Sequence, residues 1–453
     1  MSTAVLSLPD TTVAQEPLLP VTGADTQVPL VPSGRAPYVN LDTAASAPAQ
    51  EAVSRRVADA LPLYASVHRG AGYLSQVSTA LYESARDSVG SFVGARASDV
   101  CVFTRNTTDS LNLLAACVPA GDAVLVLDCE HHADLLPWQR RGPVRVLPTR
   151  PTVTETLRDL GDALARDRYA LVAVTGASNV TGESLPLDAV VALAHAAGAR
   201  VVVDGAQLVP HRAFSLSRSG ADYVAFSGHK LYAPFGTGAL VGRRDWLDAG
   251  PAYLAGGGAV QEVTVEETSW AAAPHRHEGG SPNVLGAVAL AAACASLSGL
   301  PAGALVAHER ALRERLEAGL GALDGVRILR IWADSAEPTG VVSFTVEGAD
   351  PGRVAAYLSA EHGVGVRDGR FCAHPLLARL GVPEGALRAS VGVSTTSGDV
   401  DRLVDGIAAY LREGPSVPYA VVQGRWQPVD DPRPLAALAG AEAFSLREHA
   451  ALR

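Results

Sequence analysis

The sequence predicts an α/β protein: a large domain with a mixed, mostly parallel sheet between helices, and a smaller α+β domain. Three observations carry that expectation. Between residues 100 and 240, short β-branched and apolar runs alternate with helical stretches, the pattern of strands joined by crossover helices. Beyond residue 300 the alternation is replaced by a strand-like run at 341–345 and a helical stretch at 352–361. And 453 residues are more than one packing unit usually fills.

The totals narrow the function classes. A hydrophobic share of 48% with 19% charged residues fits a globular enzyme, not a disordered chain. The net charge of −10 argues against nucleic acid or an anionic membrane as partner. The five cysteines (Cys101, Cys117, Cys129, Cys294 and Cys372) show no CxxC spacing, so neither a disulfide framework nor a metal site is expected. No basic stretch followed by an apolar one opens the chain, and no window reads as a membrane span. A cytoplasmic location is expected.

Taken in order, residues 1–36 are rich in Pro, Thr, Ser and Val without periodicity and read as a flexible arm. Residues 38–41 look like a strand. The small-residue turn from Asp42 to Pro48 either lets backbone approach a ligand or is an ordinary turn. Val67-His68-Arg69-Gly70 precedes a helix expected at 81–92. The strand 100–103 leads through Thr107 and Thr108 into a helix at 110–117; hydroxyls at such a start are a plain cap or an anion site. The strand 123–127 ends in Glu130-His131-His132-Ala133. Adjacent histidines cannot readily chelate one ion together, and no acidic or Cys partner lies at ligand spacing. The strand 170–174 ends in Ser178-Asn179-Val180-Thr181-Gly182, and a helix over 187–197 leads back to Val201.

The central stretch follows. Val201-Val-Val203 reads as a buried parallel strand with Asp204 at its carboxyl end, where open α/β sheets bind ligands. A second strand, 223–226, delivers Ser227-Gly228-His229-Lys230, and Lys230 is the only lysine in the chain. Arginine keeps its proton near neutral pH, whereas a shielded lysine can lose it and form a Schiff base with a carbonyl. A carboxylate at a strand end can keep a pyridinium nitrogen protonated. The pair therefore points to pyridoxal 5′-phosphate, with the ring as electron sink.

At these residues the sequence resembles the class V aminotransferase family, in particular its group II cysteine desulfurases and selenocysteine lyases, from about residue 39 to about 410. The resemblance implies a type I pyridoxal-phosphate fold. It implies that Thr107, Thr108, Ser227 and His229 hold the cofactor phosphate, that His131 stacks on the ring, and that Asn179 and Gln207 bond its substituents or the substrate. Glu130 to Asp134 is similar to the family's Glu-His-His-Ala-Asn, with Asp134 in place of Asn. His275 to Asn283 is similar to a segment whose hydroxyl, here Ser281, reaches the phosphate of a second subunit, which implies a homodimer with its active site at the interface. Arg388 matches the arginine that pairs with the substrate α-carboxylate, and Arg69 and Arg367 are expected to line the substrate pocket.

Cys372 occupies the place of the family's persulfide-forming cysteine, but the two histidines before it have become Arg370 and Phe371. A cation beside a thiol favours the thiolate, whereas Phe moves no proton, so Cys372 reads either as nucleophile or as a small structural residue. The reading implied is cleavage of L-cysteine to alanine, with a persulfide on Cys372 and a sulfur-acceptor protein as possible partner. The alternative is a transaminase, epimerase or C–S lyase acting on a specialised amino acid. The expected organisation is an arm at 1–36, the smaller domain at 37–60 and 300–415, the large domain at 61–299, and a C-terminal extension at 416–453.

Overall fold

The computed structural model describes residues 14–121 and 123–433. Its centre is a seven-stranded sheet built from β1 (Asp99–Thr104), β2 (Ala123–Leu127), β3 (Val144–Leu147), β4 (Tyr169–Thr175), β5 (Arg200–Asp204), β6 (Tyr223–Ser227) and β7 (Gly238–Arg243). Their spatial order is β1-β7-β6-β5-β4-β2-β3. Strands β2 to β6 pair in parallel, and β7 runs against both β6 and β1. Every residue of β4 and β6 is buried, as a sheet covered on both faces requires. Side chains alternate between the two cores: Val201 and Val203 pack with Leu160, Val190 and Leu290, while Val202 packs with Leu111, Trp138 and Leu247.

Because parallel strands finish on one edge, the segments after β1, β2, β4, β5 and β6 meet there. The turn from β6 to Lys230 is tight. A Cβ on Gly228 would lie 2.6 Å from the Thr237 carbonyl oxygen, so only glycine fits between Ser227 and His229.

The smaller domain is an antiparallel sheet of β8 (Val326–Ile328), β9 (Val341–Val346), β10 (Arg367–Gly369) and β11 (Ala386–Ser390), in the order β8-β9-β11-β10. Its core joins Leu316, Phe344, Leu358 and Leu403. Residues Val39–Asn40 pair with Val364–Gly365, which ties the start of the folded chain to this domain. The helix Glu51–Ala60, expected with the smaller domain, instead packs on the helix Val284–Ser298, and its Val53 enters the main core.

Two helices differ from their expected limits. The helix expected at 81–92 spans Tyr73–Phe92. Its first turns bury Ser75 and Ser78, and Ser78 Oγ donates to the Leu63 carbonyl, so polar residues on the packed side hide the apolar period. The helix expected at 110–117 starts at Thr107, capped by the Asn106 side chain. Of the expected arm, residues 14–36 are described: Leu18 and Leu19 donate to the Val393 carbonyl, and Gln27–Pro29 pairs with Arg35–Pro37. The first part of the C-terminal extension forms a hairpin, Tyr419–Val422 with Arg425–Pro428, against the helix Pro351–His362; residues 434–453 lie outside the described residues. Among the described residues no helix is long and apolar enough to cross a membrane.

The sheet edge at β1 is tied down by one buried carboxylate. Glu278 accepts from Arg86 at 2.7 and 2.9 Å, from the Tyr82 hydroxyl at 2.9 Å and from the Phe103 amide at 2.7 Å. Glu278→Ala leaves the buried Arg86 with only the part-exposed Glu83, 2.9 Å from its Nε, and strips the Tyr82 hydroxyl and the Phe103 amide of their acceptor, so it should lower stability by about 1.5–3 kcal/mol in urea unfolding. A loss under about 1 kcal/mol would show that the network contributes nothing beyond solvation.

Candidate active site

At the carboxyl edge of the large sheet, under the smaller domain, lies a cavity of ≈ 470 Å³. The start of the helix Thr107–Cys117 forms one wall. Its cap, Asn106, accepts from the Asp109 amide at 3.0 Å, and Asn106, Thr107 and Thr108 line the cavity. The Thr107 amide donates to Ser227 Oγ at 2.8 Å, and the two hydroxyls lie 2.7 Å apart; Thr108 and His229 line the same wall. Paired hydroxyls at a helix N-terminus suit a phosphate.

Asp204 closes the deep end. It is 3% exposed and accepts from the Ala206 amide at 2.9 Å. Burial pushes its carboxyl above the ordinary range, against the pull of that amide and of Lys230. Gln207 donates through Nε2 to the Ala44 carbonyl at 2.6 Å, and its buried Oε1 has no hydrogen-bond partner among the described residues. That orphaned acceptor, aimed from a cavity-lining side chain, fits a ligand hydroxyl.

Lys230 and His131 share the cavity. Burial lowers the lysine to about 8, helped by the Arg388 charge and opposed by Asp204. Lys230 is half-buried and lines the cavity. Burial likewise lowers His131 to about 3, with Lys230, His132 and Arg388 adding repulsion. His131 Nδ1 accepts from the Ala133 amide at 3.0 Å, so the ring is neutral and carries its proton on Nε2.

The smaller domain supplies the remaining wall. In β11, Arg388 lies in register with Ser343 and Arg367. Its guanidinium donates to the Asn179 carbonyl at 2.8 Å and to Asp42 at 3.3 Å, and its Nε has no partner among the described residues. Asp42 also pairs with Arg367 at 2.9 Å, holding two cations together that would otherwise repel across the strands. Nothing in the sequence marked Asp42 for this position; only the tertiary fold brings it between the two arginines. The turn after it joins both domains to the lysine loop: Ala44 N–H donates to Ser390 Oγ at 2.9 Å and Ala47 N–H to the His229 carbonyl at 2.8 Å.

Cys372 sits in a tight turn in which the Ala373 amide donates to the Arg370 carbonyl at 2.9 Å. Phe371 and Cys372 both take positive φ, 51° and 52°, the pattern of a type I′ turn. Both of their carbonyls are tied: Asn179 Nδ2 donates to that of Phe371 at 2.7 Å, and the His132 amide to that of Cys372 at 2.8 Å. The side-chain amide of Asn179 is thus committed to this turn. The Phe371 ring lies 5.2 Å from the Arg388 guanidinium carbon, a cation–π contact. Arg370 turns away to Glu384 at 3.4 Å, so the cation expected beside the thiol points elsewhere. Cys372 is exposed and the other four cysteines are buried.

Of the residues singled out in the sequence, Arg69 and Ser281 stand outside this cavity. Arg69 packs against the Gly256–Gly258 loop. Ser281 is exposed and lines a separate hollow with Tyr82 and Glu278. Among the described residues no group of His, Cys, Asp and Glu is placed to hold a metal ion.

Comparison with known proteins follows the same line. The family model described as "Aminotransferase class-V" matches residues 39–403. A protein named cysteine desulfurase from Dickeya dadantii (strain 3937) is 38% identical over 382 residues, 82% of this chain and 91% of the relative. A probable cysteine desulfurase 2 of Mycobacterium leprae (strain TN) is 39% identical over 359 residues, 76% and 85% of the two chains. Among solved structures, the apo cysteine desulfurase of Thermococcus onnurineus NA1 gives a TM-score of 0.76 at 32% identity, covering 83% of this chain and 95% of that one. The cysteine desulfurase CsdA of Escherichia coli, as its S-sulfonic acid, gives 0.74 at 34%, covering 83% and 94%.

With one lysine in the chain, its titration can be read directly. Once the N-terminal amine is blocked, amine acylation of the cofactor-free protein should label Lys230 with a midpoint at about pH 8. Asp204→Asn removes the attraction that favours the ammonium, so the midpoint should fall further. A midpoint near that of a free lysine, about 10.4, would contradict the burial described.

Proposed function

Because this chain belongs to the class V aminotransferase family, we propose that it is a pyridoxal-phosphate enzyme that takes sulfur from L-cysteine and releases alanine. One observation carries the reading: a single cavity gathers the chain's sole lysine, the buried Asp204 and the exposed Cys372. The orphaned Gln207 oxygen and the hydroxyl-lined helix start support the fit of the cofactor. When bound, pyridoxal phosphate supplies an electron sink for the bonds at the substrate's α-carbon.

The chain's own residues divide the remaining work. Thr107, Thr108, Ser227 and His229 would hold the phosphate and Asp204 the ring nitrogen's proton; Gln207 would accept from the ring hydroxyl, and the neutral His131 would lie flat on the ring. Arg388 takes the substrate carboxylate, for which Asp42 is the resident stand-in. Burial keeps the Lys230 amine able to accept the α-proton near neutral pH. The Cys372 thiolate then attacks the substrate sulfur. An S–S bond forms as the substrate's C–S bond breaks, and the bonding pair stays with the carbon skeleton, which leaves as alanine after protonation. The exposed persulfide passes to an acceptor protein. Ser281, outside the cavity of its own chain, is assigned to the phosphate of a second copy in a homodimer. Arg69 is assigned to the rim of the substrate pocket and Arg367 to its wall.

The second reading, a transaminase, epimerase or C–S lyase with Cys372 as bystander, is favoured by Arg370 and Phe371, neither of which can serve the thiol as a base. One experiment separates the two. With L-cysteine as substrate, Cys372→Ala should abolish sulfur release, by about 100-fold or more, while keeping the bound cofactor's visible absorption. Equal sulfur release by both proteins supports the second reading. Borohydride reduction should fix the cofactor to Lys230, and a protein that binds none at Lys230 ends both readings. Arg388→Lys removes the two-pronged grip and should lower kcat/KM by about 10- to 100-fold, from the roughly 1.5–3 kcal/mol of a charge-assisted pair.

A further inference from the structure

Two carboxyls lie beside Asp204 and open to neither cavity nor solvent: Glu130 is 1% and Asp134 0% exposed. Asp134 Oδ1 accepts from the Trp138 indole at 3.0 Å. Asp134 Oδ2 and both Glu130 oxygens accept from no donor among the described residues, and the two carboxyls face each other within hydrogen-bonding reach. The groups facing the pair are Asp204 from β5, the Thr175 backbone from β4, the Trp138 indole, the Cys129 thiol and each other; no lysine or arginine is among them. Three carboxylates cannot all be ionised in a dry pocket without a cation for each.

Their surroundings decide which one keeps the charge. Asp204 has the Ala206 amide at 2.9 Å and the attraction of Lys230. Glu130 and Asp134 lack any cation, and burial with mutual repulsion drives both well above the ordinary carboxyl range. The residue type at 134 sharpens the point. An amide at this position could donate to a carboxylate with no proton added. Aspartate can do the same only when one carboxyl of the pair is protonated.

We propose that Glu130 and Asp134 share a proton taken up on folding, and that this pair is a positioning element which leaves Asp204 as the ionised member of the three. The shared proton stands on the chain's own residues; its consequence for Asp204 rests on the pyridoxal-phosphate reading above, and the tests separate the two.

The first test uses the full-length protein without cofactor. A carboxyl pair raised in the folded state holds a proton that the unfolded chain has lost at neutral pH. Stability from this source is full below the ordinary carboxyl range and declines as pH rises toward the raised value. From neutral to mildly alkaline pH, the wild-type unfolding constant should therefore grow by about tenfold per pH unit more than that of Asp134→Asn. Glu130→Gln, which supplies an amide from the other side, should behave like Asp134→Asn. The wild type should also show a protonated-carboxyl stretch in the infrared that both variants lack. Equal pH slopes, or no such band, overturn the shared proton.

The second test uses the loaded enzyme. Asp134→Asn, which keeps a donor, should preserve the pH titration of the cofactor's visible absorption, whereas Asp134→Ala should shift it. Identical titrations in wild type and both variants remove the positioning role while leaving the first result standing.

Discussion

One amine kept dry beside one carboxylate is the constraint on which the rest of the structure depends. Burial favours the neutral form of Lys230 and Asp204 favours the charged form, and their balance leaves the lysine at about 8. Neither group could be held this way at a surface, where water would restore ordinary values. The parallel strands supply the dry place: covered on both faces, they end together, and β5 and β6 deliver Asp204 and Lys230 from adjacent positions. Much else in the cavity answers to that balance. His131 is neutral for the same reason that the lysine is weakened, so the three positive charges that could have crowded the site reduce to Arg388 and a partly ionised amine.

The two domains meet through hydrogen bonds that serve this cavity. Arg388 reaches from the smaller sheet to the Asn179 carbonyl at the end of β4, and the Asp42 turn binds Ser390 on one side and the Lys230 loop on the other. Asp42 holds Arg367 and Arg388 together, so the cationic face of the cavity is assembled in the free protein. An arginine pair left without that carboxylate would repel itself apart. An anion that took the place of Asp42 on Arg388 would exchange one carboxylate for another instead of gathering loose side chains, which lowers the entropy lost on binding.

Much of this was legible in the sequence, for a physical reason. A strand that ends in Asp and another that ends near the only lysine state their chemistry in residue type and position alone. The strand ends near His131 and Asn179 followed from periodicity and turn signals, whereas the helix expected from Ser110 begins a turn earlier, at Thr107, because the Asn106 side chain caps it there. What stayed hidden was whatever depends on contacts between distant segments. Asp42 looked like part of a turn, and its bridging of two arginines exists only after β10 and β11 pair. The helix Tyr73–Phe92 was read short because Ser75 and Ser78 face inward and satisfy a loop. Arg370 looked like a cation for the thiol, but the turn directs it to Glu384. Arg69 gave no sign of lying outside the cavity, since spacing along a chain does not report which loop a side chain packs on; for Ser281 the resemblance had already implied a place away from its own chain's site.

The Cys372 turn shows how backbone geometry can fix a residue's position whatever side chains flank it. Two consecutive non-glycine residues at positive φ are each strained by about 1–2 kcal/mol, and such a turn persists only when its surroundings fix it. Here they do: the Asn179 amide and the His132 backbone hold both carbonyls, and the Arg370–Ala373 hydrogen bond closes the loop. The direction of the thiol therefore comes from backbone geometry and needs nothing from the side chains at 370 and 371. That frees Phe371 to serve as an apolar platform under Arg388, covering a guanidinium whose Nε has no partner among the described residues. Phe371 thus carries no proton for the cysteine beside it and supports the arginine. The two properties bear on different groups of the same cavity, the thiol and the Arg388 guanidinium. Phe371 thus weighs on how the thiol could lose its proton, while exposure weighs the other way: a cysteine serving only to pack would be buried, as the other four are, rather than exposed on a strained turn.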